Sequence, residues 1–134
     1  MRALLATAAL AALLTACGGD SGSAVEPPVS LTAQGQAGFD AYRNGGCAAC
    51  HGTAGEGGVG PRLAGLYGTN ETLSDGSTVR VDDAYLTLSI TDPNAQKVAG
   101  YNVPMPQNNL SDTDIAAVVA FIRELGGQSA IPGL

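Results

Sequence analysis

The sequence predicts a small all-α domain carrying a short β-hairpin insertion. Two runs of helical periodicity and one turn signal support that prediction. Ile115, Val118, Phe121, Ile122 and Leu125 recur at spacings of three and four and form one apolar stripe. Gly35, Phe39 and Tyr42 repeat the pattern near the start of the domain. Between them, Thr72 to Val81 (TLSDGSTVRV) sets Asp75-Gly76 among alternating apolar residues, the pattern of a tight hairpin. At 134 residues there is room for one domain.

The chain begins with Met1-Arg2, an apolar run from Ala3 to Leu14, and Thr15-Ala16-Cys17. One positive charge, a short apolar core and small residues read as a secretory leader over 1–16. The run is too short for a membrane-spanning helix, which needs about 20 apolar residues. Leu14-Thr15-Ala16-Cys17 resembles the lipobox of bacterial lipoproteins. That resemblance implies a diacylated Cys17 as the first mature residue, anchored on an extracytoplasmic membrane surface. Gly18 to Ser30 (GGDSGSAVEPPVS) is small, polar and aperiodic, so 17–30 reads as a lipidated N-terminus and flexible tether. Thirteen such residues reach about 20 Å on average and about 45 Å fully extended.

The domain proper is expected over 31–127. Its first helix runs from Leu31 to about Asn44, capped by Thr32. Gly35 costs about 1 kcal/mol there against alanine, so it is expected to admit a neighbouring helix. Gly45-Gly46 end the helix, and Gly52 to Gly60 (GTAGEGGVG) form a loop. No Lys-Ser/Thr follows that loop, which excludes a nucleotide phosphate loop, and close approach of backbone to a flat cofactor accounts for its glycines. Asp82 or Asp83 caps a helix through about Ile90, with Tyr85, Leu86 and Leu88 or Ser89 turned inward, and Asp92-Pro93 closes it. Ser111, with Asp114 three residues on, makes a near capping box for the last helix. Gly126-Gly127 stop that helix, its stripe is expected to pack on the Gly35/Phe39 helix, and 128–134 is a tail without signal.

The chemistry lies in Cys47-Ala48-Ala49-Cys50-His51, the c-type haem attachment pattern. Each thiol adds across one porphyrin vinyl group, and the two intervening residues span neighbouring vinyls. His51 is thereby placed to bind the iron axially. Zinc would need further ligands, but Cys17 is the one remaining cysteine and His51 the one histidine. A redox dithiol would not require the following histidine. The site therefore calls for one covalent haem c.

A haem-bound histidine normally gives its other ring N–H to a carbonyl, and Pro61 in Gly60-Pro61-Arg62-Leu63-Ala64-Gly65-Leu66 is the candidate acceptor. Leu63 and Leu66 read as haem-wall residues. Met105 is the one methionine besides the initiator, and Pro104 and Pro106 stiffen the loop that carries it. With one axial position filled by His51, Met105 is expected to fill the other, so the metal ligands are His51 and Met105.

Loss of the leader removes Arg2 and leaves twelve acids against five bases, which argues against nucleic acid or anionic lipid as a partner. Lys97 is the one lysine, unlike cytochromes that dock through a lysine ring. With no Trp, two Phe and four Tyr, the chain is short of large core residues, a volume that a porphyrin would fill.

Taken together, these motifs resemble a class I cytochrome c. Leu73 to Leu86, Ser89-Ile90, Pro93, Val98 to Tyr101 and Met105-Pro106 are similar to the cytochrome c domain fused to subunit II of caa3-type cytochrome oxidases. That subunit also carries a copper domain and transmembrane helices, which this chain lacks, so the resemblance implies a free-standing, lipid-anchored relative. The expected function is a one-electron carrier, not an enzyme, delivering electrons from a quinol-oxidising complex to a terminal oxidase. Two other readings compete: a ligand-binding sensor with a displaceable Met105, and an electron-accepting subunit of a periplasmic dehydrogenase.

Overall fold

A computed structural model describes residue 27 and residues 29–126 of the chain. The expected leader, Cys17, most of the tether, Gly127 and the tail lie outside the described residues. The first helix, α1 (Ala33–Asn44), begins two residues later than Leu31 because Thr32 is extended and acts as its cap. The Thr32 hydroxyl accepts from the Gly35 N–H, satisfying one of the free donors of the first turn. A single turn, α2 (Ala48–His51), then carries the cysteine motif.

The chain's last helix, α4 (Asp112–Leu125), starts with a full capping box. Asp114 N–H donates to Ser111 Oγ, and Ser111 N–H donates back to the Asp114 carboxylate. Aspartate thus performs the reciprocal role usually given to glutamate. Its apolar face packs on α1 as expected, through Phe39, Tyr42 and Phe121, with the Phe121 ring 5.3 Å from each of the other two. Tilted rings at that separation add attraction beyond their buried area.

Gly38, rather than Gly35, allows the close crossing. A Cβ at Gly38 would sit 1.9 Å from the Ala117 carbonyl oxygen on α4. Gly35 instead lies beneath the Glu124 side chain. From there the Glu124 carboxylate accepts from both the N–H and the hydroxyl of Thr32, at 2.8 and 2.6 Å. The last turn of α4 therefore helps to cap the first turn of α1 and fixes how the two helices are aligned.

Between these helices lies a two-stranded antiparallel sheet, β1 (Asn70–Thr72) and β2 (Thr78–Arg80), paired Asn70 with Arg80 and Thr72 with Thr78. The turn is longer than Asp75-Gly76 alone implied. Leu73 N–H donates to Ser77 carbonyl, leaving Ser74-Asp75-Gly76 as the loop, with Gly76 at φ +84°. Leu73 is buried and bridges to Val98, while Ser74 N–H donates to the Lys97 carbonyl and Ala99 N–H to the Thr72 carbonyl. The hairpin thus braces the segment that leads to Met105.

The remaining helix, α3 (Asp83–Thr91), is capped by Asp82, whose carboxylate accepts from Tyr85 N–H at 2.9 Å. Tyr85, Leu86 and Ile90 face inward; Leu88 is 39% exposed, so Ser89 is the inward member of that pair. Asp83 pairs with Arg123 and so ties α3 to α4. No helix among the described residues is long and apolar enough to cross a membrane.

Candidate haem-binding site

Cys47, Cys50 and His51 are held by a turn of backbone hydrogen bonds, with Cys50 and His51 N–H groups both donating to the Cys47 carbonyl. The two cysteines are unpaired and half-buried. Burial pushes the Cys47 thiol above its ordinary value.

His51 Nδ1 lies 2.8 Å from the Pro61 carbonyl oxygen. A carbonyl can only accept, so Nδ1 carries a proton here, and in the neutral ring the lone pair lies on Nε2. This is the contact expected from the Gly-Pro-x-Leu stretch. Three further hydrogen bonds fold the glycine loop back to deliver it: Gly60 N–H to Cys50 carbonyl, Gly57 N–H to His51 carbonyl, and Gly58 N–H to Gly60 carbonyl. Gly60 has a specific reason to be glycine, because a Cβ there would stand 2.8 Å from His51 Cε1. At this position the backbone passes close to the imidazole, and Gly60 also lines the cavity bordered by Cys47 and Cys50.

Glu56 organises the same loop. Its carboxylate accepts from Ala54 N–H at 2.7 Å and Thr53 N–H at 3.1 Å. Backbone N–H groups, its own first and that of Ala54 next, hold its carboxyl below the ordinary value. A depressed native pKa contributes stability above the unfolded value of about 4.3, and that stability is lost as pH falls through the native value. We therefore expect Glu56→Gln to lower the urea midpoint at pH 7, with the difference from the unmodified chain shrinking as acidification protonates the native carboxylate. A difference that grows on acidification would contradict this sign.

Met105 sits on the segment between α3 and α4, and its side chain lines the same cavity as Cys47, Cys50, His51 and Leu63. Asn108 holds this segment: its Nδ2 donates to the Ile90 carbonyl at 2.7 Å, and its Oδ1 accepts from Leu110 N–H. Sequence reading missed Asn108, since one asparagine in a polar run carries no periodic signal. The phenol of Tyr42, which donates to the Gly52 carbonyl, is likewise invisible to periodicity, which marks the ring only as part of an apolar face.

The cavity measures about 1,100 Å³. Packed interiors hold few gaps larger than a water molecule, so this volume belongs to a cofactor-sized site. Its wall is chemically consistent with a large, mostly apolar group. Val59, Tyr101 and Val103, three of the four large apolar side chains that are exposed among the described residues, all line it. Ser89 Oγ, also on the wall, is buried with no hydrogen-bond partner among the described residues. Such a group is costly to bury unless something in the cavity pairs with it. Two thiols, an imidazole with a free Nε2 and a thioether complete a donor set suited to covalent haem.

The cytochrome c family pattern matches residues 33–126, from the first residue of α1 to Gly126, the cap that follows α4. The chain belongs to the cytochrome c family. It is also similar to cytochrome c2 iso-1 of Magnetospirillum molischianum, 33% identical over 88 residues that cover 58% of this chain and 87% of that protein. Members of the family bind covalent haem c, and the Cys47, Cys50 and His51 arrangement is consistent with that cofactor. The mostly helical domain with its small antiparallel sheet is thus a cytochrome c domain, and its general role is that of a monohaem electron carrier.

Proposed function

We propose that this chain is a membrane-tethered one-electron carrier of a bacterial respiratory chain, facing the extracytoplasmic side. In this reading Cys47 and Cys50 attach the haem, His51 and Met105 are its axial ligands, Pro61 fixes the His51 ring, and Leu63 is part of the apolar wall. The observation that carries it is the convergence of His51 and the one internal methionine on a single cavity. When bound, the haem iron holds or gives up one electron. His51 offers Nε2 because Nδ1 is committed to Pro61. Met105 offers a neutral thioether, which favours a higher reduction potential than a second histidine would. With His51 and Met105 both bound to the iron, no position would remain for a substrate.

The likeness of residues 73–106 to the haem domain of caa3-type oxidases supports a terminal oxidase as acceptor and a quinol-oxidising complex as donor. Lipidation of Cys17 would keep the carrier concentrated beside such membrane partners without long-range charge attraction. An optical spectrum of the oxidised protein tests the ligand set. A weak far-red sulfur-to-iron absorption is expected, and rapid carbon monoxide binding by the reduced, untreated protein would favour a ligand-binding role instead. For the anchor, Cys17→Ser is expected to move the protein from the membrane to the soluble fraction after cell breakage. Retention of that variant in the membrane fraction would defeat the tether.

A further inference from the structure

We infer that Tyr42 is a positioning residue for the haem-binding segment, gripping Cys47–Gly52 at both ends and coupling His51 to the α1–α4 crossing. The inference rests on the reading of His51 as an axial ligand. At the front of the segment, the Tyr42 carbonyl accepts from Cys47 N–H at 3.1 Å. At the back, the Tyr42 hydroxyl donates to the Gly52 carbonyl, the residue directly after His51. One residue of α1 thus closes a loop around both cysteines and the histidine.

The side chain is suited to that task. Its ring is 0% exposed and lies against Phe121 of α4, so its position follows the helix crossing. Phenylalanine would fill the same core volume, and a phenol in such a place is costly unless it is paired. Gly52 is where the chain leaves α2, at φ +86°, with its N–H already donating to the Ala48 carbonyl. Its carbonyl, which otherwise accepts only a long 3.4 Å bond from Gly55 N–H, is where the Tyr42 hydroxyl takes hold one residue past His51. The neighbouring His51 carbonyl accepts from Gly57 N–H at 2.8 Å, so a shift at Gly52 passes directly into the loop that holds Pro61. Burial also keeps the Tyr42 phenol protonated, and hence a donor, well beyond its ordinary range.

Tyr42→Phe removes only the hydroxyl, and Phe39→Leu, which loosens the same helix contact without touching that hydrogen bond, is the comparator. Amide hydrogen exchange and the hyperfine-shifted His51 ring signals of the oxidised protein are the two readouts. In Tyr42→Phe the Gly57 and Gly60 amides are expected to exchange about tenfold faster, with α4 amides within about twofold of the unmodified chain, as loss of one local hydrogen bond implies. The His51 signals are expected to move. In Phe39→Leu, exchange should rise throughout α1 and α4, and the His51 signals should move less than in Tyr42→Phe because the Tyr42 hydroxyl still holds the Gly52 carbonyl. Unaltered Gly57 and Gly60 exchange in Tyr42→Phe, or a uniform rise matching that of Phe39→Leu, would overturn the inference and reduce Tyr42 to a core residue. If the unmodified protein shows no hyperfine-shifted histidine, the axial role of His51 fails instead, and the positioning claim falls with it.

Discussion

Replacing Gly38 with alanine is expected to cost about 3 kcal/mol or more and to lower the thermal midpoint by more than about 10 °C. In an ordinary helix the same change stabilises by up to about 1 kcal/mol, so the expected sign is reversed. The reason is the identity of the atoms met. A Cβ at Gly38 would lie 1.9 Å from the Ala117 carbonyl oxygen and 2.5 Å from its carbon, both backbone atoms of α4 that cannot rotate aside. Relief requires the helices to separate, which opens the cluster of Phe39, Tyr42 and Phe121. Gly35→Ala provides the contrast. There the added carbon meets only the end of the Glu124 side chain, so the loss should be limited to the weakened cap at Thr32. Thermal unfolding of the two variants side by side measures the difference, and equal midpoints would show that the helices do not cross at Gly38.

Met105→Ala is expected to abolish the far-red absorption of the oxidised protein and to let the reduced protein bind carbon monoxide quickly. The reduction potential should fall by an amount on the order of 0.1 V, a fraction of the about 0.8 V range over which axial ligands tune haem. The fold should survive, because the segment is fastened at points other than Met105. Asn108 holds it to the Ile90 carbonyl, and the hairpin holds its start through the Lys97 carbonyl and Val98. Retained covalent haem and helicity with a lost far-red band would therefore isolate the ligand effect from unfolding. A band that persists in the variant would remove Met105 from the iron and with it the proposed closed, six-coordinate carrier.

Those expectations draw on the sequence and the structure to different degrees. Cys47, Cys50, His51, Pro61 and Met105 were identifiable from residue type and spacing, since each is scarce or fixed in position by the motif. The caps at Thr32, Asp82 and Ser111 were legible too, because a cap acts on backbone two or three residues away. One reading changed and one open choice closed once distant contacts were known: Gly35 yielded the helix crossing to Gly38, and of Leu88 and Ser89 it is Ser89 that turns inward.

By itself, then, the sequence determined the attachment chemistry, the helices and the one thioether available to face the histidine, because these depend on covalent spacing and local hydrogen bonds. Tertiary structure alone decided which glycine admits α4, that Glu124 caps a helix 92 residues away in sequence, and that Tyr42 reaches the carbonyl behind His51. Such contacts arise from how two helices cross in space, and no periodicity along one strand of text encodes the angle at which another element meets it.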